Sequence, residues 1–257
     1  MNQIINTRLE FFKNQTHPRF WWHKYNNHLP NIYKNLSDNE FEILKEWFID
    51  TEKQSYIGEC QIPAISFLTN FINANGIKNI VQCGHYSGYS TLLIAFTLRE
   101  MNIKNAFITI DIDKKISEYT LSWIKKAGLE DYCKVICDDS ANKELLEITN
   151  ENFQDKPQLI FIDSSHTYNH TLKELDLWYK ELKEGGFIFL HDASDFASTF
   201  DSSKKGGVTK ALGEWTNKNK SNSISLNKIA PLNLSVAIYK DGCGLGIIQK
   251  NFKKKDD

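Results

Sequence analysis

Between residues 77 and 194 the chain repeats one pattern five times: a short apolar run, polar residues at its end, then a stretch with helical spacing. The runs are 80–83 (IVQC), 106–113 (AFITIDID), 134–140 (KVICDDS), 158–166 (QLIFIDSSH) and 187–194 (FIFLHDAS). Strands alternating with helices predict βαβ units, and hence a parallel sheet with right-handed crossovers. In such sheets ligands bind beyond the carboxyl ends of the strands. Here those ends carry Gly84 and His85, Asp111, Asp139 and Ser140, Asp163 and His166, and His191 and Asp192. Asp and Ser are ordinary turn residues, which accounts for one or two such ends but poorly for five.

The first repeat, KNIVQCGHYSGYSTLLIA over 78–95, reads as strand, glycine turn and helix. Gly84 and Gly88 permit positive φ or close backbone approach to a ligand, and Ser90 and Thr91 are expected to cap the helix. Asp111, ending the second run, can accept hydrogen bonds from both hydroxyls of a ribose. A dinucleotide fingerprint needs a third glycine to seat the pyrophosphate, and a P-loop needs its lysine. Both are missing, so the pattern points to a nucleoside-containing ligand held without the usual phosphate grip.

Flanking segments are less regular. Residues 1–36 hold many aromatics without clear periodicity, with His17, His23 and His28 interspersed. Their spacing fits no helix face and prolines interrupt them, so a surface-packed arm or partner contact is favoured over a metal site. Ser37 to Glu40 forms a capping box for a helix, and a second helix should follow Pro63 and end at Gly76. Helices are also read over 117–127 and 143–149. The sequence thus divides into 1–75, an aromatic arm and helical cap, and 76–257, the α/β domain. Residues 195–222 open as a loop and turn helical near Val208, a natural substrate lid. The last 18 residues before the tail read as a hairpin through Asp241 and Gly242, and the tail KNFKKKDD as frayed.

With 31 basic and 32 acidic side chains, net charge −1, neither nucleic acid nor a membrane surface is indicated as partner. No apolar run approaches a membrane span, no secretory pattern opens the chain, and five scattered cysteines suit reduced thiols in the cytoplasm.

Taken together, VQCGHYSGYSTLLIA, TIDID, CDDS, FIDSSHTY and LKEGGFIFLHDAS resemble the five motifs of the class I S-adenosylmethionine-dependent methyltransferases, over residues 77–250. The F-I-D-x-x-H-x-Y and G-G-x-x-x-x-H-D pair further resembles a bacterial small-molecule O-methyltransferase subgroup. The resemblance implies a Rossmann-like seven-stranded α/β sheet with its last strand antiparallel, helices on both faces, and S-adenosylmethionine as cofactor. It implies that Cys83, Gly84 and His85 line the methionine part, with Gly88 and Ser90 near it. Asp111 would hold the ribose, Asp139 and Ser140 the adenine, and Asp163 and His166 would lie nearest the methyl group. Gln82 stands where the family usually has an acid, and lacks the charge that favours the cofactor's amino group.

A hydroxyl acceptor must lose its proton, and His166 and His191 are the candidate bases because imidazole titrates near neutrality. In metal-dependent relatives aspartates bind a divalent ion, and Asp163 and Asp192 match two ligand positions that would suit Mg²⁺. Ala193 replaces the usual third ligand, leaving Asp195 or His191 as substitutes. The leading reading is O-methylation of a small molecule, with a homodimer suggested by the aromatic arm. The alternatives are a hydroxylase-like relative on the same fold and a non-catalytic nucleoside-binding scaffold.

Overall fold

The computed structural model describes residues 2–60, 62–218, 234–239 and 242–252, with only the backbone of 2 and 234–239. Five helices precede the first strand: α1 Asn2–Asn14, α2 Trp21–Asn26, α3 Asn31–Lys34, α4 Asp38–Gln54 and α5 Ala64–Asn75. Alternation then begins with β1 Ile80–Cys83, α6 Tyr89–Glu100, β2 Phe107–Asp111, α7 Lys114–Lys126, β3 Lys134–Cys137 and α8 Leu145–Phe153. It continues with β4 Leu159–Ile162, α9 Tyr168–Glu181, β5 Phe187–His191, α10 Gly207–Lys218, β6 Leu234–Tyr239 and β7 Leu245–Lys250.

The seven strands form one sheet in the order β3–β2–β1–β4–β5–β7–β6. β1 to β5 pair in parallel, while β7 is antiparallel to both β5 and β6. Strand order reverses between β1 and β4, which opens the crevice at the carboxyl end of β1. Alternate strand residues enter two cores. Ile80, Phe107, Phe161 and Phe189 pack with α4 to α7, and Val81, Ile108, Ile160 and Ile188 pack with α8 to α10. Both faces are therefore covered, which is why β1 and β4 are buried along their whole length.

Expectation and structure part at several elements. The first 36 residues are no surface arm: Phe12, Phe20, Leu29 and Tyr33 are buried and join the same core as the sheet. Two short helices, α2 and α3, unreadable from periodicity at that length, fold the aromatics inward. Arg8 clamps them, donating to the carbonyls of Tyr33 and Leu36, both at 2.7 Å. The exposed aromatic surface that suggested a dimer shrinks accordingly to Trp21 and Tyr25. His17 accepts from Arg19 N–H, and His23 stacks on Phe12 with ring centroids 4.2 Å apart.

The capping box is present, with Ser37 N–H donating to Glu40 and Glu40 N–H to Ser37. α5 closes on Gly76 as read. α7 begins earlier than the periodicity indicated, because Asp113 caps it by accepting from Ile116 N–H at 3.0 Å. α8 starts and ends later, at Leu145 and Phe153. Ser90 and Thr91 do not cap α6; Gly88 holds that position, and both side chains turn inward. β6 and β7 form the antiparallel pair expected of the C-terminal segment. The stretch 219–222, Asp241 and the tail beyond Phe252 lie outside the described residues. No described helix is long and apolar enough to cross a membrane.

Candidate active site

The loop after β1 is fixed from every side. Gly84 has φ +87°, and a Cβ there would sit 2.1 Å from the backbone oxygen of Asp163. Gly88, at φ +91°, would press a Cβ to 2.9 Å from Thr120. Glycine is thus required by the approach of β4 and α7 to the loop. Asp111 draws the loop toward β2, its Oδ2 accepting from His85 N–H at 3.1 Å and Tyr86 N–H at 2.9 Å. Its Oδ1 accepts from Asp113 N–H at 3.0 Å. A carboxylate has about four acceptor sites, so three backbone bonds leave room for a ligand hydroxyl. Trp47 of α4 donates to Ser87 O at 2.7 Å, and Thr120 to Tyr86 O at 2.6 Å.

Gln82 lies wholly buried beneath this loop. Its Nε2 donates to Gly84 O at 2.9 Å and to Ser90 Oγ at 2.7 Å, while Oε1 accepts from Thr91 at 3.0 Å. Its amide is spent on the loop and the helix start, which explains where Ser90 and Thr91 point.

Above the loop lies a cavity of about 450 Å³, walled by Gly84, His85, Ser90, Asp111, Asp139, Ser140, Asp163 and His166 among others. Gln82, Cys83 and Gly88 stand behind its wall rather than in it. The sequence reading missed Glu59, Ser87, Ile112 and His170, which also face it. Ser87 Oγ is buried with no hydrogen-bond partner, the state expected of a group that awaits a ligand. His85 is neutral and structural: burial pulls it down to about 4, and its ring nitrogens meet Ser117 at 3.0 Å and Thr109 at 3.3 Å.

At the β3 end, Ser140 donates to Glu174 Oε1 at 2.6 Å and lies 3.2 Å from His170 Nε2. Ser164 donates to the other Glu174 oxygen at 2.8 Å. Glu174 is fully buried, so Glu174→Ala would strand both hydroxyls and cost about 2–3 kcal/mol of stability, readable as a lower denaturant midpoint.

A second cavity, of about 520 Å³, adjoins the first. Trp21, Ile62, Pro63, Phe196 and Phe200 give it an apolar wall, and His191, Asp192 and Cys243 line its base. Asp163, His166, Gly58 and Glu59 face both cavities. Glu59 is held by Arg19, with Nε to Oε1 at 2.7 Å, an ion pair with both side chains buried.

On the shared wall two carboxylates and two imidazoles interlock. His191 Nδ1 lies 3.1 Å from Asp163 Oδ1 and 3.2 Å from Asp192 Oδ2. His166 Nε2 lies 3.0 Å from Asp192 Oδ2 and 3.6 Å from Asp163 Oδ1. Burial opposes charge on all four, and the mutual attraction overrides it. His166 is pushed up to about 10 and His191 well above its usual value, while both carboxyls are held below theirs. Both rings therefore carry protons at neutral pH. His166 and Asp192 also adopt left-handed backbone, φ 56° and 58°, so strain gathers at this cluster.

A mostly parallel sheet, a glycine turn at its switch point and a ribose-competent acid on the next strand define a Rossmann-like fold suited to a nucleoside-containing ligand. Comparison with known proteins agrees. Residues 81–193 match the model of a family described as a methyltransferase domain. An Arabidopsis thaliana protein named "Putative caffeoyl-CoA O-methyltransferase" is 28% identical over 211 residues, 81% of this chain and 85% of that one. The Arabidopsis tapetum-specific methyltransferase 1 is 30% identical over 156 residues, 58% of this chain and 62% of its own length. An O-methyltransferase from Bacillus cereus, solved in complex with S-adenosylhomocysteine, superposes with TM-score 0.65 at 17% identity, covering 90% of this chain and all of that one. By family model, relatives and fold, the chain is similar to S-adenosylmethionine-dependent O-methyltransferases.

Proposed function

We propose that the enzyme transfers the methyl group of S-adenosylmethionine to a hydroxyl of a small, flat, largely apolar molecule. The observation that carries this is the junction of the two cavities at Asp163 and His166: one cavity offers nucleoside chemistry, the other aromatic walls, and the reacting groups stand between. The sulfonium is already activated, so the protein's main task is alignment and exclusion of water.

In this reading Asp111 takes one ribose hydroxyl at its open acceptor position, Asp139 and Ser140 the adenine edge, and the Gly84–Ser90 loop the methionine part. Asp163 supplies a carboxylate beside the sulfonium. Gln82, Cys83 and Gly88 support the loop from behind. The bases expected at His166 and His191 are recast: as imidazoliums they would stabilise the acceptor oxyanion, whose proton passes to solvent as the acceptor enters, and the oxyanion takes the methyl group as S-adenosylhomocysteine leaves. Residues 1–75 contribute Trp21, Ile62 and Pro63 to the acceptor wall, which Phe196 and Phe200 complete, while the cofactor side is built mainly from residues between Gly84 and His170. Free thiols fit a cytoplasmic setting.

A divalent ion at Asp163 and Asp192 would polarise the acceptor hydroxyl. The donors present fit Mg²⁺ poorly. Ala193, fully buried, offers no ligand, and Asp195 lies on the exposed side of the chain, so the oxygen set stops at two carboxylates.

Calorimetric titration of the full chain with S-adenosylmethionine and S-adenosylhomocysteine tests the proposal. Both should bind, and Asp111→Ala should weaken them by about 2–4 kcal/mol. Absence of binding by either at millimolar concentration would refute it.

A further inference from the structure

Resting on S-adenosylmethionine as the cofactor, we infer that His170 is the hydrogen-bond donor that reads the adenine ring, and that with Asp139 it makes the site selective for a 6-amino purine. Asp139, Ser140 and His170 line the same end of the first cavity. One buried residue sets the donors available there. Glu174, fully buried on α9, accepts the Ser140 hydroxyl at 2.6 Å on one oxygen and the Ser164 hydroxyl at 2.8 Å on the other. A hydroxyl has one proton to give, so both serines are left as acceptors toward a ligand. The Asp139 carboxylate also only accepts, and Ala141 N–H already occupies its Oδ1 at 2.9 Å. Among these side chains, imidazole is the donor that remains.

That donor is under-used. His170 Nε2 lies 3.2 Å from Ser140 Oγ, 3.4 Å from Glu174 Oε1 and 3.8 Å from Asp139 Oδ1. All three are acceptors toward it, so Nε2 carries a proton, and the bond to Glu174 raises the ring's hold on protons. None comes within the about 2.7–2.9 Å of a charge-assisted hydrogen bond, so a better-placed ligand nitrogen can take this N–H. Adenine offers the matching edge: N1 accepts and the adjacent 6-amino group donates. His170 supplies N1, and Asp139 takes an amino hydrogen. In a 6-oxo purine both polarities reverse. Its N1 carries a proton that meets the imidazole N–H, and its O6 faces the carboxylate. A site built to hydrogen-bond one pattern rejects the analogue that leaves its polar groups opposed.

The test is calorimetric titration of the full chain with S-adenosylhomocysteine and with S-inosylhomocysteine, its 6-oxo analogue. The two differ only at the purine edge, so the ratio of their affinities reports this contact and is blind to the rest of the site. The wild-type chain should bind the adenosyl compound on the order of 100-fold tighter. His170→Ala and His170→Phe, which remove the donor while the second keeps a flat ring, should each weaken S-adenosylhomocysteine and shrink the ratio about 10-fold. His170→Gln, whose amide N–H can still donate, should recover part of it. A general loosening of the fold would weaken both compounds alike and leave the ratio where it was. A wild-type ratio near one, or a ratio unaltered in His170→Ala and His170→Phe, would overturn the inference. The two ideas fail separately. If the wild-type chain binds both compounds equally, the adenine reader falls and the methyl-transfer reading stands; if it binds neither at millimolar concentration, the methyl-transfer reading itself falls.

Discussion

Gly84→Ala is expected to lower stability by about 3 kcal/mol or more and to abolish binding of S-adenosylhomocysteine. Two costs combine. The residue sits at φ +87°, where a Cβ is strained, and that Cβ would lie 2.1 Å from Asp163 O and 2.6 Å from Ser164 Cα. These are backbone atoms of the β4 exit, which cannot swing aside as a side-chain tip could. Relief would require the loop and β4 to separate, breaking the Asp163 N–H bond to Cys83 O at 2.8 Å and displacing the carboxylate that faces both cavities. Denaturant titration and calorimetry on the variant check both parts. A variant of wild-type stability that still binds the ligand would show that the loop yields more easily than this packing allows.

The second large effect is acid sensitivity above the carboxylate range. Burial pulls both His23 and His85 down to about 4 from 6.5. Between those values the unfolded chain takes up protons that the folded one refuses. Stability is therefore full above pH 6.5 and declines as pH falls toward 4, by roughly 2–3 kcal/mol for each ring at pH 4.5. A sum near 5 kcal/mol is a large part of the 5–15 kcal/mol typical of a domain. His166 acts in the opposite direction. Its value of about 10 means that stability present below pH 6.5 is lost as pH rises toward 10. In chelator-treated protein the denaturant midpoint should thus peak near pH 6.5. His23→Phe, which keeps the stack on Phe12 and the tilted contact with Tyr33, should remove about half of the acid-side loss. A flat midpoint from pH 7 to 4.5 would contradict the burial argument.

Most of the rim was legible because its signal is local. Each strand end shows its polar residue directly after an apolar run, and the structure places Gly84, Asp111, Asp139, Asp163 and His191 on one side of the sheet. What escaped depends on contacts between distant segments. Glu59 sits in a connection without periodicity, and only its pairing with Arg19, forty residues earlier, reveals where it faces. His170 reads as one polar residue in the first turn of α9 until Ser140 and Glu174 are seen beside it. The aromatic arm misled for the same reason: helices of four and six residues leave too few turns for a pattern, and their burial comes from α4 and the sheet. Aspartate capping at Asp113 was hidden by its place in the TIDID run, where it resembled a strand end.

Gln82 has a kinetic consequence. Its amide is consumed in shaping the loop, so in the proposed binding mode the floor under the amino-acid end of the cofactor would carry no charge from this residue. The ammonium and carboxylate of that end are common to donor and spent product, so a weaker hold there penalises both alike. Uniform loss of this kind raises the donor concentration needed for half-saturation without raising the barrier to methyl transfer. It would also shorten the residence of S-adenosylhomocysteine, and where product departure limits turnover, as it does in many enzymes, a neutral floor would favour a faster cycle under abundant donor.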